Sequence, residues 1–148
     1  MSVLKNLAPS TAPAGAERRH DKGRPLRIVV ADDDRDTVDM LAVVLRDEGH
    51  VVHLAYTGRD VLPAVRLYRP DAVVMDISIP GLSGYAVAHA IRNSFMDVRR
   101  PLLIAISGIW TEAPDRLVGE QVGFDHRLKK PCETSELLRL LEPLRRRQ

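Results

Sequence analysis

"LRIVVADDDRD", Leu26–Asp36, runs an apolar stretch straight into three adjacent carboxylates, with a fourth two positions on. Like charges side by side repel, and a folding core has no use for them. A cluster of this kind is tolerable only beside a cation, hydrogen-bond donors or open solvent. What the cluster follows decides the fold, because short apolar runs of the same kind recur. They are "VVHLA" (Val51 to Ala55), "AVVM" (Ala72 to Met75), "LLIAI" (Leu102 to Ile106) and the weaker "HRLKK" (His126 to Lys130), in which only Leu128 is strongly apolar.

Longer segments with helical spacing lie between these runs. Val38, Leu41, Ala42 and Leu45 fall at i, i+3, i+4 and i+7, one stripe of an amphipathic helix. Leu137, Leu140, Leu141 and Leu144 repeat it near the end. Helices are expected also over Gly58 to Tyr68, Gly84 to Ser94 and Glu112 to Gln121. Thr57 and Thr134 are expected N-caps, Gly49 and Gly123 expected stops, and Asp34 or Asp36 the cap of the first helix. Five short strands alternating with five helices predict an α/β sandwich around a mainly parallel sheet, with right-handed crossovers placing helices on both faces. In such sheets the functional site lies beyond the carboxyl ends of the strands.

The chain has 148 residues, enough for one domain with some tail. Residues 1–24 are rich in Ala, Pro, Gly and charge and are expected to form a flexible extension, with residues 25–148 as the folded domain. Twenty-two basic and twenty acidic residues leave a net charge of +2, too balanced to imply an overall pull towards nucleic acid or membrane. The basic runs Arg18 to Arg24 and Arg145 to Arg147 are expected to be solvated tails. A single cysteine, Cys132, excludes an intramolecular disulfide and fits a reducing, cytoplasmic setting. No apolar stretch approaches the roughly 20 residues that span a bilayer, and "MSVLKNLAPS" lacks an apolar segment long enough for a secretory signal, so none is expected.

The strand ends carry matching chemistry. Asp32, Asp33 and Asp34 follow the first strand, and Asp76 closes the third in "DAVVMDISIPGLSG". Ser107 and Gly108 follow the fourth in "LLIAISG", and Lys130 and Pro131 follow the fifth in "LKKP". Two or three carboxylates at one edge form a hard oxygen site suited to Mg²⁺, whose charge offsets the repulsion. A further carboxylate can act as a nucleophile towards a phosphoryl group. Phosphoryl transfer asks mainly for positioning and charge neutralisation.

In these motifs the chain from about Leu26 to Leu144 resembles the response-regulator receiver domain of two-component signalling, of the single-domain, chemotaxis-regulator-like type. "VVADDD" is similar to that family's acidic pair. "DAVVMDISIPGLSG" resembles its phosphorylation segment, with Pro four and Gly eight residues past the acceptor. "ISG" and "LKKP" resemble its hydroxyl and Lys-Pro elements. The resemblance implies a flavodoxin-like (βα)5 three-layer sandwich with strand order 2-1-3-4-5. Asp76 is then the phosphoacceptor, and Asp32, Asp33, Asp76 and the backbone carbonyl of Ser78 hold Mg²⁺. Ser107 and Lys130 contact the phosphoryl oxygens, and the Lys130–Pro131 bond is cis.

Implied partners are a histidine kinase or histidine phosphotransfer protein and a downstream protein. Nucleic acid and membrane are not expected, and the chain is a monomer or weak dimer. The chain stops at "RRRQ", so a regulator without an output domain is expected, catalysing only its own phosphorylation and dephosphorylation. A receiver excised from a larger hybrid kinase is also compatible with the sequence, because the flexible lead-in resembles an interdomain linker. The family's usual inward-swinging aromatic is replaced by Arg127, expected to stay at the surface, solvated or recognising a partner. Ser78 and Ile109 occupy positions that tune hydrolysis, and Trp110 is expected to pack as a lid. "DRDTV" (Asp34 to Val38) also matches the nucleophile motif of haloacid-dehalogenase-type phosphatases, with Asp34 as nucleophile, but without their cap or downstream acidic pair. The remaining alternative is a receiver-like binding module that is never phosphorylated.

Overall fold

The structure, a computed structural model, describes residues 23–79, 83–94, 100–108 and 123–147. The expectations for the tail over residues 1–22, for Pro80, for Ile109 and Trp110, and for a helix at 112–121 lie outside them. Strands β1 (Arg27–Ala31), β2 (Val51–Ala55), β3 (Ala72–Asp76), β4 (Leu102–Ser107) and β5 (His126–Lys129) form one parallel sheet in the order β2-β1-β3-β4-β5. Helices α1 (Arg35–Asp47), α2 (Gly58–Tyr68), α3 (Gly84–Ser94) and α4 (Thr134–Arg145) complete the sandwich. The expected three-layer flavodoxin-like fold is the observed one.

Period-two alternation along the strands divides the core between two layers. Ile28, Val30, Ala72, Val74, Ile104 and Ile106 face α1 and α4, meeting Leu41, Leu45, Leu137 and Leu141. Val29, Val73, Met75, Leu103 and Ala105 face α2 and α3, meeting Val61, Val65, Val87 and Ile91. Strand β3 is central and buried along its whole length, which is why it reads as an unbroken apolar run. The edge strand β2 is covered in part by Arg46 of α1, whose guanidinium donates to the outward carbonyl of Val52 at 3.0 Å.

Helix ends follow local chemistry. Asp34 caps α1: its carboxylate accepts from the Asp36 N–H at 3.2 Å and from the Thr37 hydroxyl at 2.8 Å. The Thr37 bond is the main reason its carboxyl sits below the ordinary range. Gly49 takes φ +97° just past α1, the left-handed stop expected there. Thr57 occupies the N-cap of α2 without a side-chain bond. At α4 the expected cap moves by one residue. Glu133 is the N-cap, in extended backbone, and its carbonyl accepts from Glu136 and Leu137. Thr134 already has helical geometry, so its hydroxyl is not at the capping position.

Arg24, assigned by sequence to the lead-in, is docked on the domain. Its N–H donates to the Arg145 carbonyl at 3.1 Å, and Arg145 Nε returns a bond to its carbonyl at 3.2 Å.

Candidate functional site

Because every strand runs the same way, the carboxyl ends of β1, β3, β4 and β5 open at one end of the molecule. The chain leaves β1 at Asp32, whose N–H still donates to Ala55 of β2 at 3.1 Å. Asp32 is only 2 % exposed, and its Oδ1 accepts from the Asp34 N–H at 3.0 Å. That turn swings Asp33 outwards, where its side chain is exposed. Asp76 closes β3 at 7 % exposure, and its Oδ1 accepts from the Ser78 N–H at 3.0 Å. One carboxylate oxygen from each of Asp32, Asp33 and Asp76 lies within 4.8 Å of the others.

Lys130 comes from the far side of the sheet. Its N–H donates to the Ser107 carbonyl at 2.9 Å, which fixes the residue against the end of β4. Its Nζ then reaches Asp32 Oδ2 at 2.7 Å and Asp76 Oδ2 at 3.1 Å. Burial alone would push this ammonium's pKa down, but the hydrogen bonds to the two carboxylates outweigh it and the pKa is raised. Ser107 is buried, one residue beyond the Ile106 that pairs with Asp76. Gly108 lies against the Lys130 side chain, where a Cβ would make an ordinary contact with Lys130 Cβ at 3.6 Å. The Lys130–Pro131 peptide is cis, as the resemblance implied.

Gly84 has a steric role. A Cβ at this position would stand 2.8 Å from Ile77 Cα, so only glycine lets α3 start this close to the residue after Asp76. The Gly84 N–H donates to the Ile77 carbonyl at 3.1 Å, tying helix to turn.

The charge balance is the central fact of the site. The buried carboxylates of Asp32 and Asp76 share one ammonium, and the exposed Asp33 carboxylate stands beside them. The donors are all hard oxygens, with no nitrogen or sulfur ligand among them, and that set fits Mg²⁺. Asp34 stands outside this group because its carboxylate is used as the α1 cap, so the phosphatase-type motif does not place its nucleophile in the cluster. Arg127 departs from the surface position expected of it. Leu128 faces the α1/α4 layer, so strand alternation turns Arg127 to the other, and its three guanidinium nitrogens are closed off from solvent. That direction was available from parity alone. The Lys130 bridge to Asp32 and the Arg35 guanidinium stacked 4.1 Å over the Tyr56 ring at the rim were not, because neither has a sequence signature.

Comparisons with known proteins bear on the family and the fold. The family model of the response regulator receiver domain matches residues 28–142. The response regulator MprA of Mycolicibacterium vanbaalenii is 37 % identical over 123 residues, which cover 83 % of this chain and 52 % of that protein. The chain thus spans about half the length of that relative. Among solved structures, the signal receiver domain of a response regulator from Bermanella marisrubri aligns with TM-score 0.70 at 26 % identity, over 80 % of this chain and 96 % of that one. The chemotaxis response regulator CheY4 of Vibrio cholerae aligns with TM-score 0.70 at 22 % identity, over 82 % and 99 %, a likeness of fold. Among the described residues no helix is long and apolar enough to cross a membrane.

Proposed function

Since the chain belongs to the response-regulator receiver family, we propose that it takes a phosphoryl group from a histidine kinase or histidine phosphotransfer protein onto Asp76, and passes the signal to a protein partner by conformational change. The observation that carries this reading is the carboxylate cluster held together by Lys130.

Asp32, Asp33, Asp76 and the Ser78 carbonyl are the groups that would hold Mg²⁺. When bound, the ion supplies positive charge against the equatorial oxygens of the transferring group. The protein's own part is positioning. The Ser78 N–H and Lys130 Nζ each hold one oxygen of Asp76, so the carboxylate is oriented before any donor arrives. Transfer breaks the N–P bond of a phosphohistidine and forms an O–P bond to Asp76. Lys130, already charged and partly desolvated, then pairs with a phosphoryl oxygen, and the Ser107 hydroxyl donates to another. Neutralising the new charge releases Lys130 in part from Asp32 and Asp76, which is the change that β5 and the Ser107 segment can transmit.

The test is the intact mass of the protein after incubation with acetyl phosphate, with Mg²⁺, with chelator, and in Asp76→Asn. A gain of one phosphoryl group that needs Mg²⁺ and is lost in the variant supports the reading. A gain that persists in Asp76→Asn and disappears in Asp34→Asn would overturn it in favour of the phosphatase. No gain from acetyl phosphate or from a phosphorylated histidine phosphotransfer protein would leave a receiver-like binding module.

A further inference from the structure

A net charge of +2 hides a strong asymmetry. The acidic cluster stands at the carboxyl ends of the strands. The opposite end, where the strands begin and α2, α3 and α4 finish, is lined by arginines. Contacts join them in a row. Arg27 donates through Nε and Nη2 to the Arg69 carbonyl at 3.2 and 3.0 Å. Its neighbour Arg24 donates to the Arg147 carbonyl at 2.9 Å. Arg147 then shares a cleft of about 330 Å³ with Arg92, Arg100, Leu102, Asp125 and Leu144. Arg24, the last residue of the first basic run, therefore meets the second through its paired bonds with Arg145.

Asp71 neutralises Arg24, and Asp125 neutralises Arg92. The end of α1 adds Asp47 and Glu48 nearby in the fold. Among the described residues, no carboxylate forms a salt bridge with Arg27, Arg69, Arg100 or Arg147. Arg27, whose guanidinium is held on the Arg69 carbonyl, and the exposed side chains of Arg69, Arg100 and Arg147 concentrate positive charge at this end, which an anionic surface would neutralise.

Apolar exposure points to the kind of anion. Three of the five exposed large apolar side chains among the described residues, Val51, Leu67 and Tyr68, lie at this same end. Val51 stands opposite Arg27 in the sheet register, Tyr68 stacks on His53, and Leu67 is 73 % exposed. Phosphodiester strands would leave these side chains against charge. A layer of anionic headgroups over acyl chains accepts both the arginines and the apolar groups. We infer that this arginine-lined end is a peripheral docking surface for anionic lipid, which holds the domain with its acidic site facing away from the membrane.

The experiment is co-sedimentation of the full chain with vesicles of phosphatidylcholine alone and with about 30 mol% phosphatidylserine. Binding is expected only to the anionic vesicles, and it should fall steeply as salt rises from about 0.05 to about 0.5 M. Arg100→Gln and Arg147→Gln should each weaken it about fivefold, the share of one basic residue near an anionic surface. Leu67→Ser should weaken it further, whereas Val43→Ser on the outward face of α1 should not. Thermal unfolding of each variant separates lost binding from lost fold. No binding to anionic vesicles at low salt would overturn the inference, as would equal binding to phosphatidylcholine. Tighter binding to a duplex oligonucleotide at the same salt would transfer the surface to nucleic acid and overturn it as well.

Discussion

Strand β3 carries a carboxylate at each end, and the two have opposite surroundings. Asp71, just before the strand, is 8 % exposed and saturated with donors. Arg24 reaches it through Nη2 at 2.9 Å and Nη1 at 3.4 Å, and the Arg27 N–H adds a bond at 2.9 Å. One anion there has a bidentate guanidinium and a backbone donor of its own. Asp76, at the far end, shares a single ammonium with Asp32, and Asp33 stands beside them with no lysine of its own. Residue type and burial are nearly the same. What differs is the ratio of donors to negative charge. An over-satisfied carboxylate holds structure together, whereas an under-neutralised cluster leaves a demand for positive charge that a metal ion can meet.

The largest effect that could break this contrast is on phosphoryl uptake. Asp76→Asn is expected to abolish the Mg²⁺-dependent mass gain while changing stability by less than about 1 kcal/mol. The amide can still accept from the Ser78 N–H, and Lys130 keeps its shorter bond to Asp32. If urea unfolding shows a loss of several kcal/mol instead, Asp76 is structural and the contrast fails.

Next comes Asp71→Ala, with the effects reversed. Losing a buried charge with charge-assisted bonds should cost about 2–3 kcal/mol in urea unfolding, because Arg24 is left without its partner. The rate of phosphoryl uptake per folded molecule should stay as in the wild type. A rate as low as that of Asp76→Asn would mean that the two ends of β3 are coupled.

A smaller effect separates the under-neutralised cluster from an ordinary acidic patch. Mg²⁺ at about ten times its dissociation constant should stabilise the wild type by about 1.4 kcal/mol. The same addition should leave Asp33→Asn nearly unmoved, as read from the melting temperature. Equal stabilisation of both proteins would show that the ion does not sit among these three carboxylates.

These two ends were not equally legible in the sequence. The cluster end follows from one topological rule: parallel strands deliver their carboxyl ends to one place, so Asp32, Asp76, Ser107 and Lys130 could be gathered from the apolar runs alone. The strands were legible as short apolar runs, each within a residue of its observed ends, and α2 and α3 begin and end where the helical spacing put them. The Asp71 end has no such rule. Arg24 and Asp71 are 47 residues apart and Arg24 and Arg145 are 121 apart, with no periodic signal linking them. A lead-in rich in Gly, Pro and charge reads as tail, and only the fold shows Arg24 completing a part-buried ion pair with Asp71. At Arg127, side-chain chemistry argued for the surface and strand parity argued for the interior. Parity set the direction, because a residue flanking Leu128 in a strand has to face the opposite layer, and Arg127 is half-buried with its head group closed off from solvent.

The subtlest way to sharpen the contrast is its pH dependence, since the two ends fail at opposite extremes. Burial would raise the Asp71 carboxyl, but the Arg24 and Arg27 bonds outweigh it and its folded pKa is lowered from the usual 3.8. A lowered folded value means its contribution is complete above 3.8 and is lost as pH falls through the folded value. The Lys130 ammonium, held up against burial by Asp32 and Asp76, behaves in the opposite sense. Its contribution is complete below the usual 10.5 and is lost as pH rises through the raised folded value. Urea midpoints of wild type and Asp71→Asn should therefore converge in acid and stay parallel at neutral and alkaline pH. Those of wild type and Lys130→Gln should converge only in strong alkali. Both groups are partly open to water, so each convergence is a fraction of the mutational effect itself. If the Asp71→Asn difference instead persists unchanged to the lowest pH at which the protein folds, the guanidinium contact is packing rather than charge, and the distinction between the two carboxylates rests on Lys130 alone.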